Sequence, residues 1–280
     1  MGTSKLYESV LANRLSRLLD GRDRRGEHLL SQFQGGFRRG RSCQHQSWVS
    51  ELIKTNARRG KKTYVAFLDV REAYPTCRRA AMLERLYAKL AAAPGGSEKH
   101  RPKLFSAVAT MLRTENCRSK VVVDGAESAE YTVGHGLREG AVLSPVLYAV
   151  FIDDIARRLA ASCSGVSVGT ETINCLLYAD DICITADSQE DLQRALNVCQ
   201  SFANESSFEY SMEKSQVFIY FFFFNNIVNL NWRFRSVSLE CVGFIVTVLG
   251  LVGGAPGGET PRDADSSAAG ASLRACELLP

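Results

Sequence analysis

Hydrophobic positions along the chain change period several times, and each change marks a predicted element. Leu6, Val10, Leu11, Leu15, Leu18 and Leu19 recur at helical spacing over residues 5–20, and Asp20-Gly21 ends that helix. A second helix carries Trp48, Leu52 and Ile53, capped by Ser42 and closed by Gly60. Thr63–Asp69 is instead an apolar run of strand length that ends on a carboxylate. Helices over 78–93 and 101–113 follow, parted by Pro94-Gly95-Gly96. Stretches 120–123 and 131–133 flank Asp124-Gly125 as a long hairpin. Ser144 as N-cap and Pro145 at the first helical position open a helix over 144–162, in which Val146, Leu147, Val150, Ile155 and Leu159 fall at helical spacing. Residues 175–186, CLLYADDICITA, form a hairpin with Asp180 and Asp181 at its tip. A helix over 188–204 turns Leu192, Leu196 and Val198 inward and carries Gln189, Glu190 and Asp191 in its first turn. Short strands at 208–210 and 216–218 surround Met212-Glu213-Lys214-Ser215. The pattern then lapses into a run of four phenylalanines at 221–224 and an apolar stretch at 236–252 broken by Glu240, marginal for a membrane span. The Gly/Ala/Ser/Pro/Asp-rich residues 253–280 read as disordered.

Composition narrows the class. With 280 residues, 45% hydrophobic and 23% charged, the chain can bury a sizeable core. The net charge of +4 is unevenly spread, since 22–25, 38–41 and 58–62 crowd arginine and lysine into the first quarter. That concentration suits a polyanion such as nucleic acid; the alternative is a merely solvated basic face. Nine cysteines without a Cys-x-x-Cys pair, and a start without an apolar signal core, read as free thiols in a reducing, intracellular compartment. The four histidines show no ligand spacing with the cysteines, which argues against zinc.

Three stretches carry candidate chemistry. Asp69 at the end of a buried strand is badly placed for stability and well placed for chemistry, because an unpaired buried charge is unfavourable. Asp180 and Asp181 gather negative charge between apolar strands without a lysine or arginine beside them, and magnesium supplies the charge that is missing. The bland alternative is a polar turn. Asp153 and Asp154 form a second Asp-Asp pair, but their amphipathic setting puts them on a solvated helix face or in capping charge pairs. Residues 34–42, Gln-Gly-Gly-Phe-Arg-Arg-Gly-Arg-Ser, combine glycines that allow close approach of a ligand with Arg38, Arg39 and Arg41, which grip phosphate in forks.

The order of these features resembles the reverse-transcriptase palm. Phe67-Leu-Asp-Val-Arg-Glu-Ala-Tyr74 is similar to the first palm motif, 136–145 to the second, Tyr178-Ala-Asp-Asp181 (YADD) to the third and Glu213-Lys-Ser215 to the fourth. Residues 34–42 and 5–15 resemble the fingers of polymerases from non-long-terminal-repeat retrotransposons, so the likeness covers about 5–219. It implies an α+β right-hand core with an antiparallel palm sheet backed by helices: partial fingers at 1–62, palm with fingers insertion at 63–219, and a non-homologous tail at 220–280. It also implies RNA-directed DNA polymerisation on a primer 3′-hydroxyl, with an RNA template, a DNA primer and deoxynucleoside triphosphates as partners and no stable membrane association.

Such transfer moves charge onto the attacking and leaving oxygens, and two Mg2+ ions about 4 Å apart stabilise both ends, with Mn2+ as a substitute. By resemblance, Asp69 and Asp180 hold both ions and Asp181 lies nearer their periphery. Arg38, Arg39 and Arg41 meet the triphosphate or template, together with Glu139 and Gly140 of the second motif. Tyr74 matches the side chain that blocks a ribose 2′-hydroxyl. Lys214 stabilises or protonates pyrophosphate. Two positions depart from the family pattern: Glu139 stands where glutamine is common, and Pro75 removes a backbone donor where aspartate is frequent. No thumb, endonuclease or zinc knuckle is recognisable, so a truncated, inactive remnant with at most nucleic-acid-binding ability is the alternative to an active enzyme. The four phenylalanines suggest a reading-frame slip, with residues 221–280 outside the polymerase fold.

Overall fold

The apolar run at Thr63–Asp69 becomes the strand around which the molecule is built. The computed structural model describes residues 2–41, 47–94, 101–223, 226–233 and 245–249. In chain order the first elements are α1 (Gly2–Leu19), α2 (Ser47–Arg58), β1 (Thr63–Asp69), α3 (Ala73–Thr76), α4 (Arg79–Ala92) and α5 (Arg101–Met111). Short strands β2 (Arg118–Ser119), β3 (Val122–Val123), β4 (Ala126–Glu127) and β5 (Tyr131–Thr132) follow. After them come α6 (Ser144–Ile152), α7 (Asp154–Ser162), β6 (Val166–Val168), β7 (Glu171–Ile173), β8 (Cys175–Tyr178), β9 (Asp181–Ala186) and α8 (Gln189–Ser206). The last are β10 (Gln216–Phe223), β11 (Asn226–Arg233) and β12 (Ile245–Leu249).

Six strands make one antiparallel sheet in the order β12-β11-β10-β1-β9-β8. One face packs on helices: Ala66, Leu68, Ile182 and Ile184 of the sheet share a core with Met82 and Leu86 of α4, Leu147 and Phe151 of α6, and Leu192 and Phe202 of α8. Burying each such side chain contributes about 1.5–3 kcal/mol, so this layer dominates stability. The opposite face holds a smaller cluster in which Leu52 of α2 meets Val65, Leu176 and Cys183. The result is the expected α+β arrangement, an antiparallel sheet backed by helices. The six described cysteines are free thiols, four of them buried.

Several expectations are corrected. The helix over 144–162 is two helices, α6 and α7, broken at Asp153. Asp153 does not face solvent: it is fully buried, its Oδ2 lies 2.6 Å from Lys89 Nζ, and its Oδ1 accepts the Ser31 N–H at 2.7 Å. Helical periodicity places a residue on a face but says nothing of a lysine waiting there. Ser144 is the first residue of α6 rather than its cap, and its Oγ donates to the Arg138 carbonyl at 2.7 Å. Trp48 is 44% exposed, and Leu52 fills the inward position of α2. Around Asp124-Gly125 the single long hairpin is two short ladders, β3–β4 inside β2–β5. Beyond 219 the sheet continues, because β10 runs to Phe223 and pairs with β11 along its whole length, so Phe221–Phe223 are strand. The expected cap at Ser42, the break at Gly95-Gly96 and the disorder at 253–280 fall outside the described residues.

Candidate active site

The antiparallel register of β1 and β9 sets Asp69 opposite Asp181. Asp180 lies one residue earlier, in the turn between β8 and β9, so carboxylates from two strands and one turn gather at one end of the sheet. Burial raises the Asp181 pKa above the usual carboxylate range, and the charges of Asp180 and Asp69 add to the rise, while Lys214 lowers it. Lys214 arrives on the turn before β10, with Nζ 3.5 Å from Asp69 Oδ2 and its side chain 72% exposed. That turn is stitched to β1: the Ser211 N–H donates to the Asp69 carbonyl at 2.8 Å, and the Asp69 N–H donates to Ser215 Oγ at 3.2 Å. A cavity of ≈ 570 Å³ opens along Asp69, Asp181 and Lys214 and is walled by Val49, Ser50 and Ile53 of α2. Among the described residues no three His, Cys, Asp or Glu side chains form a ready-made metal cage. The donor chemistry nevertheless suits a hard divalent cation, because three carboxylates with one exposed lysine leave negative charge uncompensated.

Tyr74 is placed by α3, whose preceding residue Glu72 adopts φ 49. Its ring lies 5.4 Å from that of Tyr148 on α6, and burial raises its pKa, helped by the Asp180 and Glu139 carboxylates. Tyr148 is itself buried, with its pKa pushed well up by burial and by Asp180, and its hydroxyl lacks a hydrogen-bond partner among the described residues. The second-motif loop is laid on this turn. The Leu137 N–H donates to the Tyr74 carbonyl at 2.8 Å, and Gly136, at φ 73, passes so close that a Cβ there would lie 2.5 Å from the Pro75 carbonyl oxygen. Pro75 is therefore accommodated without a lost bond: it sits in the first turn of α3, where an N–H has no helical acceptor. Glu139 is exposed, and Gly140, at φ 71, has open space where a side chain would begin.

The basic loop divides its arginines. Arg38 points inward, with Nε 2.8 Å from Asp20 Oδ1 and Nη1 donating to the Ser31 carbonyl at 2.7 Å; its side chain is 7% exposed. It braces the loop instead of facing phosphate. Arg39 is exposed, and Arg41 donates to the Gln32 carbonyl. Gly35 and Gly36 approach the chain's own hairpin, whereas Gly40, at φ 71, has open space around it. The Gly35 N–H donates to the Leu177 carbonyl at 2.8 Å, and a Cβ on Gly36 would lie 2.3 Å from the Ala179 nitrogen. Ala179 holds φ 59, a left-handed conformation that costs a non-glycine residue roughly 1–2 kcal/mol. Gln34 is fully buried beneath it, with Oε1 accepting the Ala179 N–H at 3.2 Å. Gln34 and Ser215 lie in motifs that the sequence singles out without giving either a role, and Tyr148 escapes sequence reasoning altogether. The one local signal was glutamine directly before two glycines.

Residues 2–246 match the family model described as reverse transcriptase (RNA-dependent DNA polymerase). The chain belongs to this family. Among curated relatives it is 27% identical, over 72% of its length, to the retrovirus-related Pol polyprotein from type-1 retrotransposable element R2 of Nasonia vitripennis, covering 18% of that protein. It is 26% identical, over 75% of its length, to the RNA-directed DNA polymerase from mobile element jockey of Drosophila melanogaster, covering 21% of that protein. The chain thus spans about a fifth of the length of these relatives, both of the non-long-terminal-repeat class that its motifs resemble. Among solved structures, telomerase from Candida albicans in complex with a fragment of telomeric RNA superposes with TM-score 0.53 at 11% identity, covering 86% of this chain and 39% of that one. Apo telomerase from Candida tropicalis, truncated from its C-terminal domain, gives 0.53 at 10% identity, covering 88% and 46%. Those likenesses carry the fold, a fingers–palm core. Reverse transcriptases generally use divalent metal ions.

Proposed function

We propose that the chain is the fingers–palm core of a retroelement's RNA-directed DNA polymerase, extending the 3′-hydroxyl of a DNA primer with deoxynucleotides along an RNA template. The observation that carries this reading is the facing of Asp69 and Asp181 across the β1–β9 ladder, with Asp180 on the adjoining turn. Asp69 and Asp180 would hold two Mg2+ ions, or Mn2+ in their place, with Asp181 nearer the periphery. Bound there, the ions supply positive charge for the attacking and leaving oxygens. Lys214 offers its exposed ammonium to the departing pyrophosphate, where it neutralises charge or gives a proton. Tyr74 excludes a ribose 2′-hydroxyl, and the ring of Tyr148 behind it makes that wall stiff. The open space at Gly140 admits a phosphate backbone or triphosphate, while Arg39 and Arg41 contribute positive charge on the fingers side. Glu139 brings an opposing charge to the same entrance.

The partners of this reading are template, primer and deoxynucleoside triphosphates, and its place of action is intracellular. No helix among the described residues is long and apolar enough to cross a membrane. A primer-extension assay with purified protein, an RNA template, magnesium and labelled deoxynucleotides tests it. Incorporation above an Asp180→Ala control is expected, and equal signals from the two would overturn the proposal in favour of an inactive remnant.

A further inference from the structure

The residue before Asp180 is held from outside its own hairpin. Ala179 occupies the left-handed region at φ 59, where a hairpin turn relying on its two strands alone favours glycine or asparagine. The missing support comes from the loop after α1, which runs alongside β8. The Leu177 N–H donates to the Phe33 carbonyl at 2.9 Å, the Gly35 N–H donates to the Leu177 carbonyl at 2.8 Å, and Gln34 and Leu177 form a parallel bridge. Above that bridge, Gln34 Oε1 accepts two backbone donors, the Gly36 N–H at 2.9 Å and the Ala179 N–H at 3.2 Å. Two N–H groups aimed at one atom require an acceptor, so the orientation of the amide is determined by its partners.

The other end of the same amide is unfavourable. Gln34 Nε2 is buried without a hydrogen-bond partner among the described residues. An unpaired buried donor weakens a fold, and a methionine would fill a similar space without one. Glutamine at this position is therefore explained by its oxygen. Gly36 completes the seat, since only a residue without a Cβ lets the loop meet the Ala179 nitrogen at the observed distance. The direction of the Asp180 carboxylate follows from the backbone angles of the residue before it.

We propose that Gln34 is a positioning residue for nucleotidyl transfer: by accepting the Ala179 N–H it holds the turn in the left-handed conformation that aims Asp180. The catalytic half of this statement rests on the polymerase reading; the structural half does not. Gln34→Met keeps the length of the side chain and removes the acceptor. In metal-free Gln34→Met, hydrogen exchange at the Ala179 and Asp180 amides should accelerate on the order of tenfold, while Val65 and Ala66 in β1 keep the parent's rates. In primer extension, kcat should fall about 10- to 100-fold, the range expected when a reacting group is slightly misplaced. The KM for deoxynucleotides should stay within roughly twofold, because substrate contacts are untouched. Gly36→Ala pushes on the same turn from the other side and should repeat the pattern. Unchanged exchange at Ala179 would overturn the proposal, as would acceleration spread equally over β1, which marks a merely structural role. An unchanged kcat beside faster exchange at the turn would overturn its catalytic half. A parent that incorporates nothing above the Asp180→Ala control sinks the polymerase reading instead, and the exchange data then decide on their own whether Gln34 holds the turn.

Discussion

Replacing Asp153 by asparagine should destabilise the fold substantially, although sequence pattern alone puts that residue on a solvated face. Asp153 is fully buried and pairs at 2.6 Å with Lys89, whose side chain is 3% exposed. Lys89 Nζ also donates to the Leu29 carbonyl at 3.0 Å, and Asp153 accepts the Ser31 N–H, so the pair ties the α6–α7 junction and α4 to the loop after α1. Asparagine keeps one oxygen, which cannot serve both donors, and turns an amide donor towards the ammonium. Removing one partner of a buried ion pair leaves an uncompensated charge and costs about 3–5 kcal/mol. Here the lower end applies, because Asp154 Oδ1 remains 3.7 Å from Lys89 Nζ and the Leu29 carbonyl still accepts. A loss of about 3 kcal/mol corresponds to a fall of roughly 6–12 °C in Tm for a domain of this size. Urea and thermal denaturation of the parent, Asp153→Asn, Lys89→Met and the double variant Lys89→Met/Asp153→Asn measure it. The double variant should lose clearly less than the sum of the single losses, since it leaves no charge behind. A change under about 0.5 kcal/mol for Asp153→Asn, the range of ordinary surface substitutions, would refute the reasoning.

The remaining predictions concern the site. Tyr74→Ala should admit ribonucleotides in primer extension by opening space at the 2′ position; discrimination equal to the parent's would refute the gate. Glu139→Gln should lower the KM for deoxynucleotides, since the carboxylate stands near enough to Tyr74 to act on its phenol and would repel phosphate there, and a higher KM would mean that Glu139 makes a productive contact. Asp181→Asn should make the metal-free protein more resistant to urea at pH 7. The folded state raises this carboxyl's pKa above 3.8, so its contribution to stability is full below that value and is lost as pH rises through the raised one. The advantage of the variant should close below pH 3.8, and a parent more stable than Asp181→Asn at pH 7 would show that burial and the like charges together do not disfavour the carboxylate.

Elements with local signals were legible from sequence. β1 has the bounds its apolar run predicts, the 175–186 hairpin forms with Asp180 in its turn, and α8 starts beside Ser188, whose hydroxyl accepts the Asp191 N–H. The period of side chains and the chemistry of chain ends act over a few residues, so a reader of sequence has all the information that the chain itself uses. Gly36 was legible only by half: its lack of a side chain signalled close approach, but what approaches is Ala179, more than a hundred residues away.

Sequence determined by itself β1, the 175–186 hairpin, the start of α8 and the order of the motifs. Only the tertiary structure decided what each charge does. Asp153-Asp154 and Asp180-Asp181 look alike along the chain, yet one first carboxylate meets Lys89 from 64 positions away, while the other pair faces Asp69 with an exposed lysine nearby. Arg38 and Arg39 are neighbours, yet Asp20 takes the first inward. Whether an ionised group is paired and buried or left for a ligand depends on which distant segments pack beside it. Side-chain periodicity reports the face a residue occupies, and the partner on that face comes from elsewhere in the fold.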